Sequence, residues 1–304
     1  MFERAPVISV GKNCWRIEQA TRASVIIDAD DYFAAARSAM LAAKHRIMLI
    51  GWDFDARINV GTSDEEPRAP EKLGDFVLWL VNNRPQLDVY LLRWDIGALK
   101  VVFRGTTVLT LFNWMRHERI HTKLDSMHPP GASHHQKIVV IDDSFAFCGG
   151  IDMTGDRWDT RQHADDEPQR KRPNGKPYGP WHDATTALEG PVAAALGELA
   201  RNRWKGAGGN ELRPVQGASD IWPEKLPCHF TNVEIAVSRS IPGTDGRKPI
   251  REIEALYVDL IASARRHIYA ESQYFASRKI AEAIGRRLAE PDGPEIVVVN
   301  PFSA

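Results

Sequence analysis

His135, Lys137 and Asp142 stand in the order His-x-Lys-x4-Asp, and His135-Gln136-Lys137 leads into the apolar run Ile138-Val139-Val140-Ile141. Such a β-branched run reads as a strand over 136–142, in which alternate side chains share a face. His135 and Lys137 therefore point into one pocket. A neutral imidazole can attack phosphorus. An ammonium beside it can hold the nonbridging oxygens of a phosphodiester. Asp142 ends the strand and can pin the local geometry by hydrogen bonding. Gly149-Gly150-Ile151-Asp152 and Arg157-Trp158-Asp159 follow, and paired glycines let a backbone approach a ligand closely. A bare His-x-Lys pair is common by chance; the longer pattern is far more specific.

The elements that must carry these residues can be read from periodicity. Residues 31–46 form a helix, with Asp30 or Asp31 as its cap and Phe33, Ala36, Met40 and Ala43 near a 3.6 period. Residues 46–54 and 88–94 are buried strands, 72–83 a helix and 109–119 a further helical stretch. The motif strand is followed by a strand at 144–149. Residues 155–182 are a polar loop, within which Arg170-Lys171-Arg172 is a solvated face or a contact for anionic lipid phosphates. A strand at 184–188 and a helix at 192–204 complete a first part, residues 1–204. Residues 205–249 read as a connector with one strand at 233–237.

The final part, residues 250–304, reads as helix 252–266, strand 267–275, helix 278–288 and strand 295–300. That order repeats the order of residues 31–94, with Phe54 and Phe275 at matching places, and implies two similar halves. In the first half His135 lies roughly 47 residues past the start of the second strand. The same offset in the second half falls near position 340, so that half is expected to be incomplete.

Global properties exclude several classes. The formal net charge is -1 over 304 residues, which argues for neither a nucleic-acid partner nor an anionic surface. No apolar run approaches the roughly 18 residues of a spanning helix. The first 30 residues lack the apolar core of a signal peptide. A cytoplasmic or peripheral membrane protein is the expectation, with export by a route needing no such peptide left open. Cys14, Cys148 and Cys228 form neither a disulfide framework nor a zinc site, and Cys148 reads as a small buried apolar residue. No metal ligand set and no cofactor is expected. His134 reads as a bystander, and His163 and His182 as exposed loop histidines.

The segments HHQKIVVID, FCGGIDMTGDRWD, PWHDATTALEGP and YAESQYF, in this order, resemble the phospholipase D superfamily, most closely its phospholipid-acting branch, over roughly residues 30–300. Asp156 stands where that family usually has glycine before the arginine. The resemblance implies an α/β fold, a mixed β-sheet flanked by helices in two pseudo-repeated halves. It also implies a metal-free site to which each half gives one histidine and one lysine. His135 is then the nucleophile that becomes a phosphohistidine, Lys137 a phosphate ligand, and Asp183 the carboxylate that orients the histidine. Gly149, Gly150, Asp152, Trp52, Asp53, Glu271 and Gln273 are expected to border the substrate. The implied activity is hydrolysis or transfer of a phospholipid head group at a membrane surface, with phosphatidylcholine to phosphatidic acid as one such reaction. A cardiolipin synthase-like transferase and a nuclease are the rival enzymes, and the near-neutral charge speaks against the nuclease. The alternative outside enzymology is a catalytically incomplete fragment that binds lipid or phosphate. A homodimer completing the site is the weaker rescue, because the second half has already begun.

Overall fold

A computed structural model describes residues 7–61, 69–94, 113–129, 132–217, 220–243, 246 and 248–301. The elements in chain order are β1 (Arg16–Ile27), α1 (Ala29–Ala42), β2 (Arg46–Gly51), α2 (Leu73–Asn83), β3 (Asp88–Trp94), β4 (Ile120–Asp125), β5 (Ile138–Ile141), β6 (Phe145–Gly149), β7 (Ala184–Glu189), α3 (Pro191–Gly206), β8 (Phe230–Val237), β9 (Ser240–Ile241), β10 (Ile250–Arg251), α4 (Glu252–Ser263), β11 (His267–Glu271), α5 (Arg278–Leu288) and β12 (Glu295–Val299). The chain folds as two compact units, Gln19–Glu234 and a discontinuous one built from Met1–Glu18 and Ile235–Ala304.

The eight-stranded sheet runs β4-β3-β2-β5-β6-β7-β1-β8. β2 is the switch in its topology: it pairs parallel with β3 and antiparallel with β5. The run RIMLIG is apolar on both faces because both are covered. Ile47, Leu49, Val89, Leu91, Val139 and Ile141 meet α1 and α2 in one core, while α3 packs on β5, β6, β7 and β2. Burying each such Ile, Leu or Val side chain stabilises the unit by about 1.5–3 kcal/mol. Ala29, Ala35, Ala36 and Ala39 are buried along α1, and their small side chains let the helix lie close on the sheet.

Several expected boundaries move for identifiable reasons. The first helix ends at Ala42, not 46, since Ala43 is extended (φ -60, ψ 137). The Asp142 carboxylate holds the next three residues out of the helix, accepting from the backbone N–H of Lys44, His45 and Arg46 at 2.8, 2.9 and 2.7 Å. Asp30 and Asp31 lie inside the first turn and the cap position is Asp28. The motif strand begins at Ile138, so His135 and Lys137 sit on the extended approach to it. Of the stretch expected to be helical at 109–119, residues 113–116 are helical and 109–112 lie outside the described residues. β1 and β4 were not expected.

The second unit repeats the α1-β2-α2-β3 order as α4-β11-α5-β12, with β11 and β12 parallel from His267↔Glu295 onward, as β2 and β3 are from Arg46↔Asp88. A similar detail recurs: Arg84 donates to Leu41 O in the last turn of α1 at 2.6 Å, and Arg287 to Ala264 O just beyond α4 at 2.6 Å. The N-terminal segment is fastened within this unit. Lys12 Nζ and Asn13 Nδ2 reach Asp259 at 2.9 and 2.7 Å, and Trp15 N donates to Val237 O at 2.8 Å.

Candidate active site

β2 ends at Gly51 and β5 begins at Ile138, paired Ile50↔Ile138. Continuing that register sets Lys137 beside Gly51 at the end of the sheet. A side chain at Gly51 would press on the Phe54 ring at 2.7 Å and on Asp152 Oδ1 at 3.1 Å, so glycine keeps room there. The Lys137 side chain lies among these groups, its Nζ 3.2 Å from Asp152 Oδ2 and 3.5 Å from His135 O. Asp152 Oδ1 in turn accepts from Trp52 N at 3.0 Å. Burial pushes Lys137 below its usual range and Asp152 above its own, and each partner counteracts the shift of the other. The pair therefore presents a held ammonium rather than a mobile one.

His135 is open to solvent and its ring lies edge-on to Trp52, centroids 6.2 Å apart. The protein around the rest of the ring disfavours its charged form, and Lys137 and Arg157 add to that, so its pKa is lowered. A lowered value keeps the imidazole neutral, as a nucleophile requires. Arg157 belongs with the site, although the sequence, which places it in the extended motif, gave it no role. Its charge acts on His135, Lys137 and Asp183, and its guanidinium lies 4.1 Å from the centroid of the Trp181 ring. It follows Asp156, whose φ of 66° is the left-handed conformation glycine adopts freely and aspartate tolerates. The departure from the glycine of the resembled motif thus leaves the turn intact.

Other expected site residues divide between pocket and scaffold. Asp142, expected among the catalytic groups, is 1% exposed, and its carboxylate accepts from the three backbone amides after α1, which pins the end of the motif strand. Asp183 lies near Lys137 and its burial raises its pKa; its Oδ1 accepts from Ala184 N at 2.8 Å, and no hydrogen bond joins it to His135. The glycines make room for protein rather than for a ligand. A Cβ on Gly150 would sit 2.0 Å from Asp183 Oδ1, and one on Gly149 2.3 Å from Thr185 Cα. Asp53 is buried against Thr154 Oγ1 (2.9 Å) and Arg93 (3.8 Å), and Asp152 against Lys137. Trp52 stacks on Trp94, centroids 5.6 Å apart and planes at 22°. Glu271, bonded to the Tyr269 hydroxyl at 2.6 Å, and Gln273 belong to the second unit and are exposed there.

The polar loop 155–182 is anchored by a residue expected to be solvated. Arg170 is 2% exposed, paired with the buried Asp159 and donating to Ala164 O, Asp165 O and Tyr178 O. Burial alone would raise Asp159, but bonds from Trp181 N, His163, Thr160 N and Arg170 outweigh it and hold the carboxylate low. His163 and His182, read as exposed loop residues, converge on the buried Asp28 at 3.2 and 2.9 Å. Among the described residues these three alone offer ligand atoms within 4.8 Å of one another, a carboxylate and two imidazoles of the kind a transition-metal cation accepts. The three lie far apart in sequence, so no local spacing announces them.

Residues 39–281 match the family model for phospholipase D. Curated relatives include phospholipase D alpha 1 of Vigna unguiculata, 26% identical over 309 residues (78% of this chain, 38% of the relative). Phospholipase D alpha 1 of Arabidopsis thaliana is 27% identical over 317 residues, with 79% and 38% covered. The chain thus spans about two-fifths of the length of these relatives. Among solved structures, phosphatidylserine synthase of Haemophilus influenzae Rd KW20 shares the fold, with a TM-score of 0.58 at 13% identity, over 93% of this chain and 62% of that one.

Proposed function

The chain belongs to the phospholipase D family, and from that premise we propose that it carries the nucleophilic half-site of a phosphodiesterase acting on phospholipid head-group esters. The observation that carries this reading is an exposed, neutral-leaning His135 next to Lys137, which Asp152 fixes, with Arg157 adding a second positive charge. A phosphate monoanion drawn there meets two cations and one nucleophile. One imidazole nitrogen of His135 attacks phosphorus. The P–N bond forms as the bond to the leaving alcohol oxygen breaks, and the alkoxide takes a proton from a general acid. Water, or an acceptor alcohol, then displaces the histidine and gives phosphatidic acid or an exchanged phospholipid. Lys137 and Arg157 bear the charge of the phosphoryl oxygens throughout, and Asp183 tunes the charge around Lys137.

No helix among the described residues is long and apolar enough to cross a membrane. We take the substrate to be met at a membrane surface, with phosphatidylcholine as the first to try. The test is covalent trapping, which needs only the first chemical step. Incubation with short-chain phosphatidylcholine and acid-free intact-mass analysis is expected to show a phosphatidyl adduct on the wild-type chain and none on His135→Ala. An adduct that survives in His135→Ala refutes the nucleophile. No adduct and no choline release, with phosphate still bound, points to the non-catalytic lipid- or phosphate-binding reading.

A further inference from the structure

The segment that carries His135 is held by the sheet only at its end. Pairing of β5 with β2 begins at Ile138, Lys137 O accepts from Gly149 N of β6 at 3.2 Å, and residues 132–136 lie outside the strands. Something besides the sheet must fix the backbone that aims His135. Side chains alternate along an extended segment, so His134 and Gln136 face away from the pocket. His134 is 3% exposed, with Nδ1 3.5 Å from Asp125 Oδ2. Asp125, at the end of β4, is wholly buried, accepts from Met127 N at 2.9 Å and is paired with Arg203 in the last turn of α3.

This polar nest is under-satisfied. Both ring nitrogens of His134, Gln136 Oε1 and Arg203 Nε are buried without a hydrogen-bond partner. Interiors pair nearly all such atoms, so an apolar filling would be the more stable solution. We infer that His134, docked on the Asp125–Arg203 pair, is a positioning residue that pegs segment 132–137 from behind and so aims His135 and Lys137 into the pocket. The inference rests on the reading of those two residues as the reacting pair. One of two adjacent histidines faces the substrate, and the other faces α3 and holds the first in place.

The test uses a readout that needs no turnover. Burial, Arg203 and Lys137 push His134 down to about 4, so near neutral pH its removal deletes no charge. A change in the titration of His135 then reports a change in position. In the full chain, NMR titration is expected to give His135 a midpoint below the ordinary histidine value. His134→Phe raises it by about half a pH unit, some threefold in proton affinity, as the loosened ring escapes burial, Lys137 and Arg157. His134→Gln, whose amide can donate to Asp125 from the same position, stays near wild type. Leu196→Ala, a buried α3 control, lowers the unfolding temperature without moving the midpoint. Where phenylalanine prevents folding, His134→Leu repeats the measurement. An unmoved His135 midpoint in the apolar variants, or an equal shift in Leu196→Ala, overturns the inference. An absent phosphatidyl adduct with the expected midpoint shifts overturns only the reading of His135 as nucleophile.

Discussion

Asparagine in place of Asp142 separates structure from chemistry at a motif position that invites a catalytic interpretation. The carboxylate takes three backbone N–H bonds at 2.7–2.9 Å, with Oδ1 serving His45 and Arg46 and Oδ2 serving Lys44. Asparagine keeps one acceptor oxygen, so two of these bonds pass from charged to neutral, at about 1 kcal/mol each. Its NH2 faces the Lys44 N–H, and that bond, worth about 2 kcal/mol with a charged acceptor, is lost. The total is about 4 kcal/mol, a large part of the ~5–15 kcal/mol typical of a domain. The backbone does not confuse the result, because the φ of 50° at position 142 is one asparagine tolerates. Urea unfolding should show a lower midpoint with an unchanged slope, while the folded fraction still traps the phosphatidyl adduct. A loss under about 1 kcal/mol, or a fully folded variant that traps nothing, refutes the scaffold role.

Four further outcomes follow from the same geometry. Gly149→Ala forces a methyl against Thr185 Cα and should cost about 1–3 kcal/mol in thermal denaturation. The folded-state pKa of His134 is depressed from 6.5 to about 4, so the unfolded chain binds that proton first. Its contribution is complete above pH 6.5 and falls by roughly 3 kcal/mol as pH drops to about 4; the stability difference between wild type and His134→Phe, measured across that window, should carry this slope. Arg170→Met leaves Asp159 buried without its main cation, at about 3–5 kcal/mol, and limited proteolysis should then cut within 155–182 much faster. Cys148, whose thiol burial pushes up to about 11, should resist iodoacetamide until unfolding, while the exposed Cys228 reacts in the native protein.

The sheet centre was legible because its residues obey one rule each. Asp88–Trp94 forms β3 with the bounds its apolar run suggested, and the α-β-α-β order of the second unit followed from periodicity. β1 was not, because RIEQATRASVII mixes charge into both faces and has no clean alternation. His135 and Lys137 were legible through local spacing. Arg157, Asp125 and the Asp28, His163 and His182 group act through segments that are far apart in the chain and meet only in the fold. Arg170 misled because a basic run reads as a surface, whereas its partner Asp159 is buried by the fold itself.

The discontinuous unit sets an order of assembly during synthesis. Lys12 and Asn13 leave the ribosome well before their partner Asp259, which is made 247 and 246 residues later. At about 5–20 residues per second the wait is roughly 12–50 s. Gln19–Glu234 is continuous and complete before that, so it can close around its own core while Lys12 and Asn13 stand idle. A segment made early is then among the last to find its place.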